Sequence, residues 1–225
     1  MLPLLFIHGA CSTGEIWVRQ RRCFPQGQFP TLPDLSEPDD QLIPRWADWL
    51  ERTYPGPHHV VAHSLGGAVA LMLARRYPSS VRGLVLVGTG PNLAVNPELL
   101  AKLHKAPAEA LGLIAEWSLS PSAPASLRDA SRRQIRRIAA QRAQKEFRAA
   151  NQFSAESWLK GLQIPVAVIA GADDTMTPPA LTRRFLMVWP QAAYFEIQEA
   201  GHLVMLEQPE RFNNLLADVV HHFDE

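Results

Sequence analysis

Apolar residues along the chain fall into short continuous runs that alternate with stretches of helical spacing. A run that is apolar at every position is typical of a strand covered on both faces of its sheet. Such runs predict strands over residues 4–7, 60–62, 84–87 and 165–170, and further short strands are expected over 194–197 and near Phe29. Helical spacing and helix-favouring composition predict helices over residues 41–53, 68–77, 181–188 and 209–222.

The order of these elements predicts an α/β fold. Strands and helices alternate, which favours a mostly parallel sheet of about six strands with helices on both faces. The alternation stops after Pro91, because residues 92–158 carry helical patterns, broken by Pro107 and by a loop at 121–126, without a convincing strand. We therefore expect residues 1–91 and 159–225 to form the α/β core and residues 92–158 to form an inserted helical lid.

Composition and charge narrow the range of functions. Lys and Arg (22) balance Asp and Glu (22), whereas a nucleic-acid-binding domain usually carries an excess of positive charge. No apolar stretch approaches the ~20 residues that a membrane-spanning helix needs, and the first residues lack the basic start of a signal peptide. The two cysteines, Cys11 and Cys23, are too few for a disulfide framework. These features predict a cytoplasmic protein with reduced thiols and without a nucleic-acid partner or a membrane span.

The strongest chemical signal is a serine placed between a strand and a helix. Ser64 lies in the sequence Ala-His-Ser-Leu-Gly-Gly at residues 62–67. Small neighbours relieve the crowding of the sharp turn that such a serine must take, and the turn presents its hydroxyl at the carboxyl edge of the sheet. A serine that only caps the helix is the alternative, but it leaves the paired glycines unexplained. We therefore interpret Ser64 as a nucleophile.

A second signal is the sequence His8-Gly9-Ala10 at the end of the first predicted strand. Acyl transfer needs two backbone N–H groups aimed at the oxyanion, one from the residue after the nucleophile and one from the loop after an early strand. Leu65 and Ala10 occupy these places, and Gly9 lets the backbone approach closely. His8 is expected to buttress the loop. Taken alone, a His-Gly pair after a strand is more often only a turn.

Two later segments place an acid and a histidine after the last two predicted strands. Residues 171–178 contain Asp173 and Asp174, and His202 follows the final strand in the sequence Ala-Gly-His. Together with Ser64 they give the chain order Ser, Asp, His, which is the order of an α/β-hydrolase triad. The interval between the serine and the acid is long enough to contain the predicted lid.

Over nearly its whole length the sequence resembles the α/β-hydrolase superfamily of serine hydrolases. That superfamily shows the patterns H-G-x, G-x-S-x-G, G-x-x-D-x-x-x-P, and G-H followed by an apolar residue and E-x-P; here they begin at residues 8, 62, 171 and 201. The resemblance implies Asp174 as the triad acid and Asp173 as a turn or capping residue. It implies about six strands, because the usual first two have no counterpart. Ala62 replaces the first glycine of the serine motif, which tightens the turn.

The resemblance implies a carboxylesterase in which Ser64 attacks the ester, His202 is the base and Asp174 orients the base. Length and helical insertion are similar to those of small carboxylesterases and of pimeloyl-acyl-carrier methyl ester esterases. No cofactor is expected, and the adjacent histidine pairs at 58–59 and 221–222 lack the spacing of metal ligands. Two other classes stay open on this fold, namely a carbon–carbon or hydroxynitrile lyase and a non-catalytic ligand receptor.

The predicted lid also supplies candidates for the binding pocket of the substrate ester. Its aromatic and apolar candidates, for each of which helix packing is the alternative, are Leu113, Trp117, Phe147, Phe153 and Trp158. His63, beside the nucleophile, is expected to be a packing residue or a pocket wall. Cys11 lies near the oxyanion loop but has no elbow that would activate it, so we expect a free buried thiol.

Basic residues are concentrated in one part of the predicted lid. Only Asp129 and Glu146 oppose them between residues 127 and 148, where the basic residues are Arg128, Arg132, Arg133, Arg136, Arg137, Arg142, Lys145 and Arg148. A solvated helix face explains such charge in many proteins. The alternative is a surface that attracts an acidic partner, such as an acyl carrier protein that presents its substrate ester.

Overall fold

Five parallel strands form one sheet in the computed structural model, which describes residues 2–225. The strands lie side by side in chain order, and every neighbouring pair is parallel. They are β1 (Leu4–Ile7), β2 (His58–His63), β3 (Val81–Val87), β4 (Val166–Gly171) and β5 (Ala193–Ile197). The parallel α/β fold predicted from the sequence is therefore confirmed.

The α-helices connect and cover these strands. They are α1 (Gln20–Cys23), α2 (Asp39–Thr53), α3 (Leu65–Arg76), α4 (Pro97–Lys105), α5 (Pro107–Trp117), α6 (Ala125–Ile135), α7 (Ala140–Gln152), α8 (Pro179–Thr182), α9 (Val204–Glu207) and α10 (Pro209–Phe223). Short 3-10 helices occur at Gly14–Trp17, Leu159–Gly161 and Arg183–Met187. Within residues 2–225, none of the helices combines the length and apolar character that crossing a bilayer requires.

Both faces of the sheet are buried, which explains why the strands are apolar at consecutive positions. Successive side chains of a strand point to opposite faces. Leu5 and Ile7 of β1 belong to one buried cluster, which continues into α2 and α3. Leu4 and Phe6 belong to another, which continues into α9 and α10. The strands are thus fixed between two helical layers, as the sequence pattern predicts.

The sixth strand expected near Phe29 is reduced to a single bridge between Leu5 and Gln28. Phe6 N–H donates to the Gln28 carbonyl at 2.8 Å, and Gln28 N–H donates to the Leu4 carbonyl at 2.8 Å. The next donor of a parallel ladder would be residue 30, two positions further on. That residue is Pro30, which has no N–H, so the ladder ends there.

The helix predicted over residues 181–188 is also different in the structure. It begins earlier, as α8, and continues as the 3-10 helix Arg183–Met187. The Thr182 hydroxyl donates to the Pro179 carbonyl at 3.0 Å, and so competes for an acceptor of the first helical turn. Side-chain bonds of this kind bend or tighten helices.

Four helices, α4 to α7, are inserted between β3 and β4, and no strand of the described chain lies in this interval. The base of the insertion is tied by an isolated antiparallel bridge between Asn92 and Ser154. Ala155 N–H also donates to the Pro91 carbonyl at 2.8 Å. The four helices share a buried cluster that includes Leu103, Ala110, Ile114, Ile135 and Phe147.

At Gly66, the backbone of α3 lies very close to the backbone at the end of β1. A Cβ atom at this position would lie 2.5 Å from the His8 carbonyl oxygen and 2.7 Å from the Ile7 carbonyl oxygen, both backbone atoms. Gly66→Ala should therefore lower the free energy of unfolding by about 1–3 kcal/mol, the usual cost of overpacking. Urea denaturation followed by circular dichroism measures this change.

The matched control is Gly112→Ala in α5, where a Cβ atom would meet nothing within 4 Å. Alanine is the better helix former, so this change should raise the free energy of unfolding by up to about 1 kcal/mol. A Gly66→Ala protein as stable as the wild type would show that the strand and helix are further apart than described.

Candidate active site

Ser64 occupies a strained turn between β2 and α3. Its φ of 53° and ψ of −123° lie in a region that residues other than glycine rarely adopt. Such a conformation costs on the order of 1–3 kcal/mol and persists where surrounding contacts fix it. Here Ser64 N–H donates to the Val87 carbonyl at 2.9 Å, and the Ser64 carbonyl accepts from Gly67 N–H at 2.8 Å. The turn holds the serine at the carboxyl end of β2, as expected for a nucleophile elbow.

Asp174 and His202 form a buried hydrogen-bonded pair. His202 Nδ1 lies 2.8 Å from Asp174 Oδ2, and both residues are less than 5% exposed. Asp174 follows β4 and His202 follows β5, and these strands are neighbours in the sheet. Because the carboxyl ends of parallel strands meet at one edge, two residues distant in sequence come together there.

Asp174 is held in its ionised form by several donors. Its Oδ1 accepts from the backbone N–H of Met176 at 2.9 Å and of Thr177 at 2.8 Å. Burial by itself would raise the pKa of this carboxyl. The charge and hydrogen bond of His202, together with the bonds from Thr177, outweigh burial and bring the pKa below its ordinary value. Asp174 is thus an acceptor that fixes the proton of His202 on Nδ1.

Ser64 and His202 line the same cavity, whose volume is about 420 Å³. Because Nδ1 of His202 faces Asp174, the second ring nitrogen, Nε2, is the one available to a reacting group. No residue in the described range 2–225 is bonded to that nitrogen. Ser64 and a histidine held by a buried carboxylate therefore meet at one cavity, an arrangement that can carry out acyl transfer.

The predicted oxyanion donors, Ala10 and Leu65, also line this cavity. Over residues 2–225, neither of their N–H groups donates to another protein group. Gly9 is needed beside them, because a Cβ atom there would lie 2.8 Å from the Ser64 Cβ and 2.9 Å from the His63 Nδ1. Two unused donors next to the serine hydroxyl are what an oxyanion hole requires.

His8 supports the loop that carries Ala10. Its Nδ1 donates to the Gly9 carbonyl at 2.8 Å, and its Nε2 accepts from Leu32 N–H at 2.9 Å. Burial lowers the pKa of His8 to about 4, so the ring is neutral at pH 7 and can accept on one nitrogen while it donates from the other. The expectation that His8 buttresses the loop agrees with these contacts.

His63 is both part of the cavity wall and a support for His202. Its Nε2 donates to the backbone carbonyl of His202 at 2.9 Å, and the two ring centroids are 4.5 Å apart. Burial and the neighbouring His202 lower the pKa of His63 well below its ordinary value, so it stays neutral. Its ring lies against Trp17 on the other side. His63 thus holds the backbone of the histidine rather than exchanging protons with substrate.

Asp173 has a different environment from Asp174. It is exposed, and its Oδ2 accepts from the Ser120 hydroxyl at 2.6 Å in the loop after α5. Its N–H donates to the Ala200 carbonyl at 2.8 Å. Neither contact reaches the ring of His202. The geometry therefore favours Asp174 as the acid of the triad and Asp173 as a structural residue of the turn.

The structure separates the pocket candidates of the predicted lid into two groups. Trp117 and Phe147 line the cavity, whereas Leu113, Phe153 and Trp158 lie outside the lining. On α5 the cavity side is formed by Ile114 and Trp117, and Leu113 lies about 40° beyond Trp117 and about 100° from Ile114 around the helix. Phe153 and Trp158 pack edge to face at 6.5 Å and join the core beside α3. Packing against the core, the alternative for each candidate, describes Phe153 and Trp158.

Two further residues, which lie within motifs of the sequence but were given no role from it, support the site. The Thr177 hydroxyl lies 2.7 Å from Asp174 Oδ2 and 2.8 Å from the Gly88 carbonyl. Glu207 accepts from Gly201 N–H at 2.9 Å and from Ser120 N–H at 2.7 Å, and so joins the loop of His202 to the loop after α5. Burial raises the pKa of Glu207, while these two N–H donors oppose it. The E-x-P pattern contains Glu207, but its role depends on contacts that the pattern does not specify.

The remaining reactive side chains are not arranged for nucleophilic or metal chemistry. Cys11 is a free thiol in the wall of the cavity, and burial, followed by the charge of Glu146, raises its pKa well above the ordinary value. A neutral thiol is a weak nucleophile. In the part of the chain that the structure describes, no three His, Cys, Asp or Glu side chains are grouped as metal ligands.

Comparisons with known proteins agree with this geometry. Residues 4–215 match the sequence profile described as Alpha/beta hydrolase family. The pimeloyl-[acyl-carrier protein] methyl ester esterase of Aromatoleum aromaticum is 30% identical over an alignment that covers 96% of this chain and 97% of that protein. The protein of the same name from Chromobacterium violaceum is 28% identical, with 85% and 79% covered. A solved thermophilic esterase is 26% identical, with a TM-score of 0.84 over 99% of this chain and 91% of its own.

The two neighbouring aspartates make a matched pair for a test. Asp174→Asn should lower kcat for ester hydrolysis on the order of 10⁴-fold, the loss known for the equivalent change in a serine protease, because the amide no longer fixes the proton on Nδ1. Asp173→Asn should change kcat less than about threefold, because Asp173 does not touch His202. Steady-state kinetics with a p-nitrophenyl ester measure both. A larger loss in Asp173→Asn than in Asp174→Asn would contradict the assignment.

Proposed function

The chain belongs to the alpha/beta hydrolase family and is a carboxylic ester hydrolase, and we propose that it acts through an acyl-enzyme on Ser64. The observation that carries this proposal is the cavity shared by Ser64 and His202, in which Asp174 holds Nδ1 of the histidine. A histidine fixed in this way presents Nε2 as a base, and a serine on an elbow presents its hydroxyl as a nucleophile.

In the acylation step, His202 Nε2 takes the hydroxyl proton of Ser64 as Oγ attacks the ester carbonyl. The carbonyl oxygen becomes the oxyanion and accepts from the N–H groups of Ala10 and Leu65. The tetrahedral intermediate then collapses, the C–O bond to the alcohol breaks, and His202 gives its proton to the leaving alkoxide. Asp174 stays ionised throughout and stabilises the imidazolium.

Deacylation repeats these events with water. His202 removes a proton from water as the water oxygen attacks the acyl carbonyl, and the same two N–H groups hold the second oxyanion. The bond to Ser64 Oγ breaks, and His202 returns the proton to that oxygen. The carboxylic acid leaves and the side chains are as they were at the start, so no group has to be supplied by a cofactor.

The size and apolar lining of the cavity favour recognition of the substrate through an apolar acyl chain. Its volume of about 420 Å³ lies in the range of about 300–1,000 Å³ typical of small-molecule sites. Apolar side chains of the inserted helices dominate its upper wall: Leu99, Ile114, Trp117, Leu127, Ile135 and Phe147. We propose that residues 92–158 form a lid over a core of residues 1–91 and 159–225, and that the lid lines the acyl site.

Ester turnover separates this proposal from the other two classes. A receptor on this fold would bind esters without releasing acid, and a lyase would not need an acyl-enzyme on Ser64.

A cytoplasmic location remains a prediction, which the free thiols of Cys11 and Cys23 support.

Ser64→Ala should lower kcat on the order of 10⁶-fold, as loss of the nucleophile does in subtilisin, and leave the fold intact, since it removes one hydroxyl from a turn. The control is Ser79→Ala, which changes an exposed serine and should leave kcat unaltered. A fluorophosphonate should label the wild-type chain once, and peptide mass spectrometry should place the label on Ser64. Undiminished turnover in purified Ser64→Ala would falsify the assignment.

A second candidate substrate is an ester carried by an acyl carrier protein. The relatives from Aromatoleum aromaticum and Chromobacterium violaceum are named for such a substrate. In this chain the supporting observation is a group of exposed arginines at and just after the end of α6, whose guanidinium groups make no ion pair or hydrogen bond over residues 2–225. We define these residues, Arg133, Arg136 and Arg137, as the arginine patch.

The other basic residues of the same stretch are bound within the chain. Arg128 donates to backbone carbonyls of residues 120, 121 and 123. Arg132 pairs with Asp129, Arg142 with Glu146 and Arg148 with Asp39. Lys145 donates to the Leu35 carbonyl. Among the described basic residues of this stretch, only the arginine patch therefore remains to attract an external anion. The patch lies at the end of α6 and just after it, and α6 also contributes Leu127 and Ile135 to the cavity.

Changing the three residues of the arginine patch to Glu should lower kcat/KM for a carrier-bound ester at least tenfold, and leave kcat/KM for a small neutral ester within twofold. Added salt should lower the wild-type value for the carrier ester in the same way, because exposed charges are screened beyond ~8 Å at physiological ionic strength. The matched control reverses three exposed arginines outside the inserted helices, Arg52, Arg82 and Arg211. Equal losses in the two triple variants would show that only net charge matters.

A further inference from the structure

The loop that carries the oxyanion donor is bound by two residues of the inserted helix α7. Cys11 N–H donates to Glu146 Oε2 at 2.6 Å. Arg142 Nε pairs with Glu146 Oε1 at 2.8 Å, and Arg142 Nη2 donates to the Ser12 carbonyl at 3.3 Å. The peptide between residues 10 and 11 and the peptide between residues 12 and 13 are thus held by side chains that are about 130 residues away in the sequence.

The ion pair of Arg142 and Glu146 is largely shielded from solvent where it contacts the oxyanion loop. The side chain of Glu146 is 2% exposed and that of Arg142 is 16% exposed. Burial raises the pKa of Glu146, and Arg142 and the Cys11 N–H act in the opposite direction. A buried carboxylate is costly unless its oxygens are paired, and here one oxygen has the guanidinium and the other has the loop. Removal of the Glu146 carboxylate would leave both Arg142 and the Cys11 N–H without their acceptor.

The loop needs such support because its backbone is strained directly after Ala10. Cys11 has a φ of 53°, in the left-handed region that favours glycine. On the other side of Ala10, the Gly9 carbonyl is held by His8. Ala10 therefore lies between two peptide groups that are held by side chains, one by His8 at the end of β1 and the other by Glu146 on α7. Charge-assisted bonds to a backbone N–H are among the stronger hydrogen bonds in proteins.

We infer that Glu146 is a positioning residue for the oxyanion hole: it holds the peptide after Ala10, while His8 holds the peptide that carries the Ala10 N–H, and Arg142 keeps the carboxylate in place. The inference rests on the proposed function, since the hole stabilises an oxyanion only if Ser64 attacks a carbonyl. It follows that the hole is complete only while α7 is seated on the oxyanion loop. The helices above the site then contribute to catalysis as well as to substrate binding.

The test compares Glu146→Gln with Asp39→Asn. A glutamine has the same shape, but it can accept from only one of its two donors, because its NH₂ group faces the other. Asp39→Asn is the matched control, since it removes the partner of Arg148, which ties α7 to the start of α2 without touching the oxyanion loop. Activity is expressed per active site, counted by complete labelling of Ser64 with a fluorophosphonate.

For Glu146→Gln we expect kcat to fall about 10- to 100-fold, below the 10²–10³-fold loss of a whole oxyanion donor, while KM stays within twofold. The affinity for a trifluoromethyl ketone, which forms a tetrahedral adduct with an oxyanion, should fall by the same factor as kcat/KM. Asp39→Asn should change none of these values more than twofold. An unchanged kcat per active site in Glu146→Gln, or an equal loss in both variants, would overturn the inference.

Amide hydrogen exchange gives a readout that does not depend on turnover. Exchange at Cys11 should become at least tenfold faster in Glu146→Gln and stay unchanged in Asp39→Asn. If the wild type hydrolyses no ester, the proposed function fails, and the exchange rate still decides whether α7 holds the loop: equal rates in wild type and variant overturn that link. If Glu146→Gln does not fold, Arg142→Lys replaces it, because it keeps the charge but loses the fork that reaches both Glu146 and Ser12.

Discussion

The hydrogen bond of 2.8 Å between Asp174 Oδ2 and His202 Nδ1 is the interaction on which the rest of the site depends. It buries a carboxylate at the sheet edge, and an unpaired carboxylate there would be costly. Several neighbouring contacts serve this pair. The Thr177 hydroxyl and the N–H groups that follow Asp174 bind the carboxylate oxygens of Asp174. His63 donates to the His202 carbonyl, and Glu207 accepts from the Gly201 N–H. The parallel sheet makes the pair possible, because β4 and β5 end side by side.

The inserted helices are joined to the loops of the proposed site at two separate places. Ser120, after α5, contacts Glu207, near His202, and Asp173, next to Asp174. Glu146 and Arg142, on α7, contact the oxyanion loop. Apolar residues of the same helices line the cavity between these places. A displacement of the helices would therefore change the cavity, the support of the loop that carries His202 and the loop that carries Ala10 together.

The sequence alone was sufficient for the parts of the structure that local pattern determines. Continuous apolar runs identified four of the five strands, because both faces of the sheet are covered there; β5, which contains Glu196 and is only partly buried, was expected as a further short strand. The motifs placed Ser64, Asp174 and His202 at strand ends, and the sheet brings those ends together. The prediction of a sixth strand near Phe29 was wrong, because Pro30 has no N–H to continue the hydrogen-bond ladder with β1. Leu113 was placed in the pocket because spacing does not fix which side of a helix faces a cavity, and Glu146 was passed over because its partner is 135 residues away.

The most direct test of the account is the covalent intermediate itself. An aryl carbamate should transfer its carbamoyl group to Ser64, and because carbamoyl-enzymes hydrolyse slowly the adduct should accumulate. We expect a burst of one phenol per chain, a matching increase in the mass of the intact protein, and the carbamoyl group on the peptide that contains Ser64. Continuous release of phenol without a burst or adduct, or an adduct on any other side chain, would contradict the account.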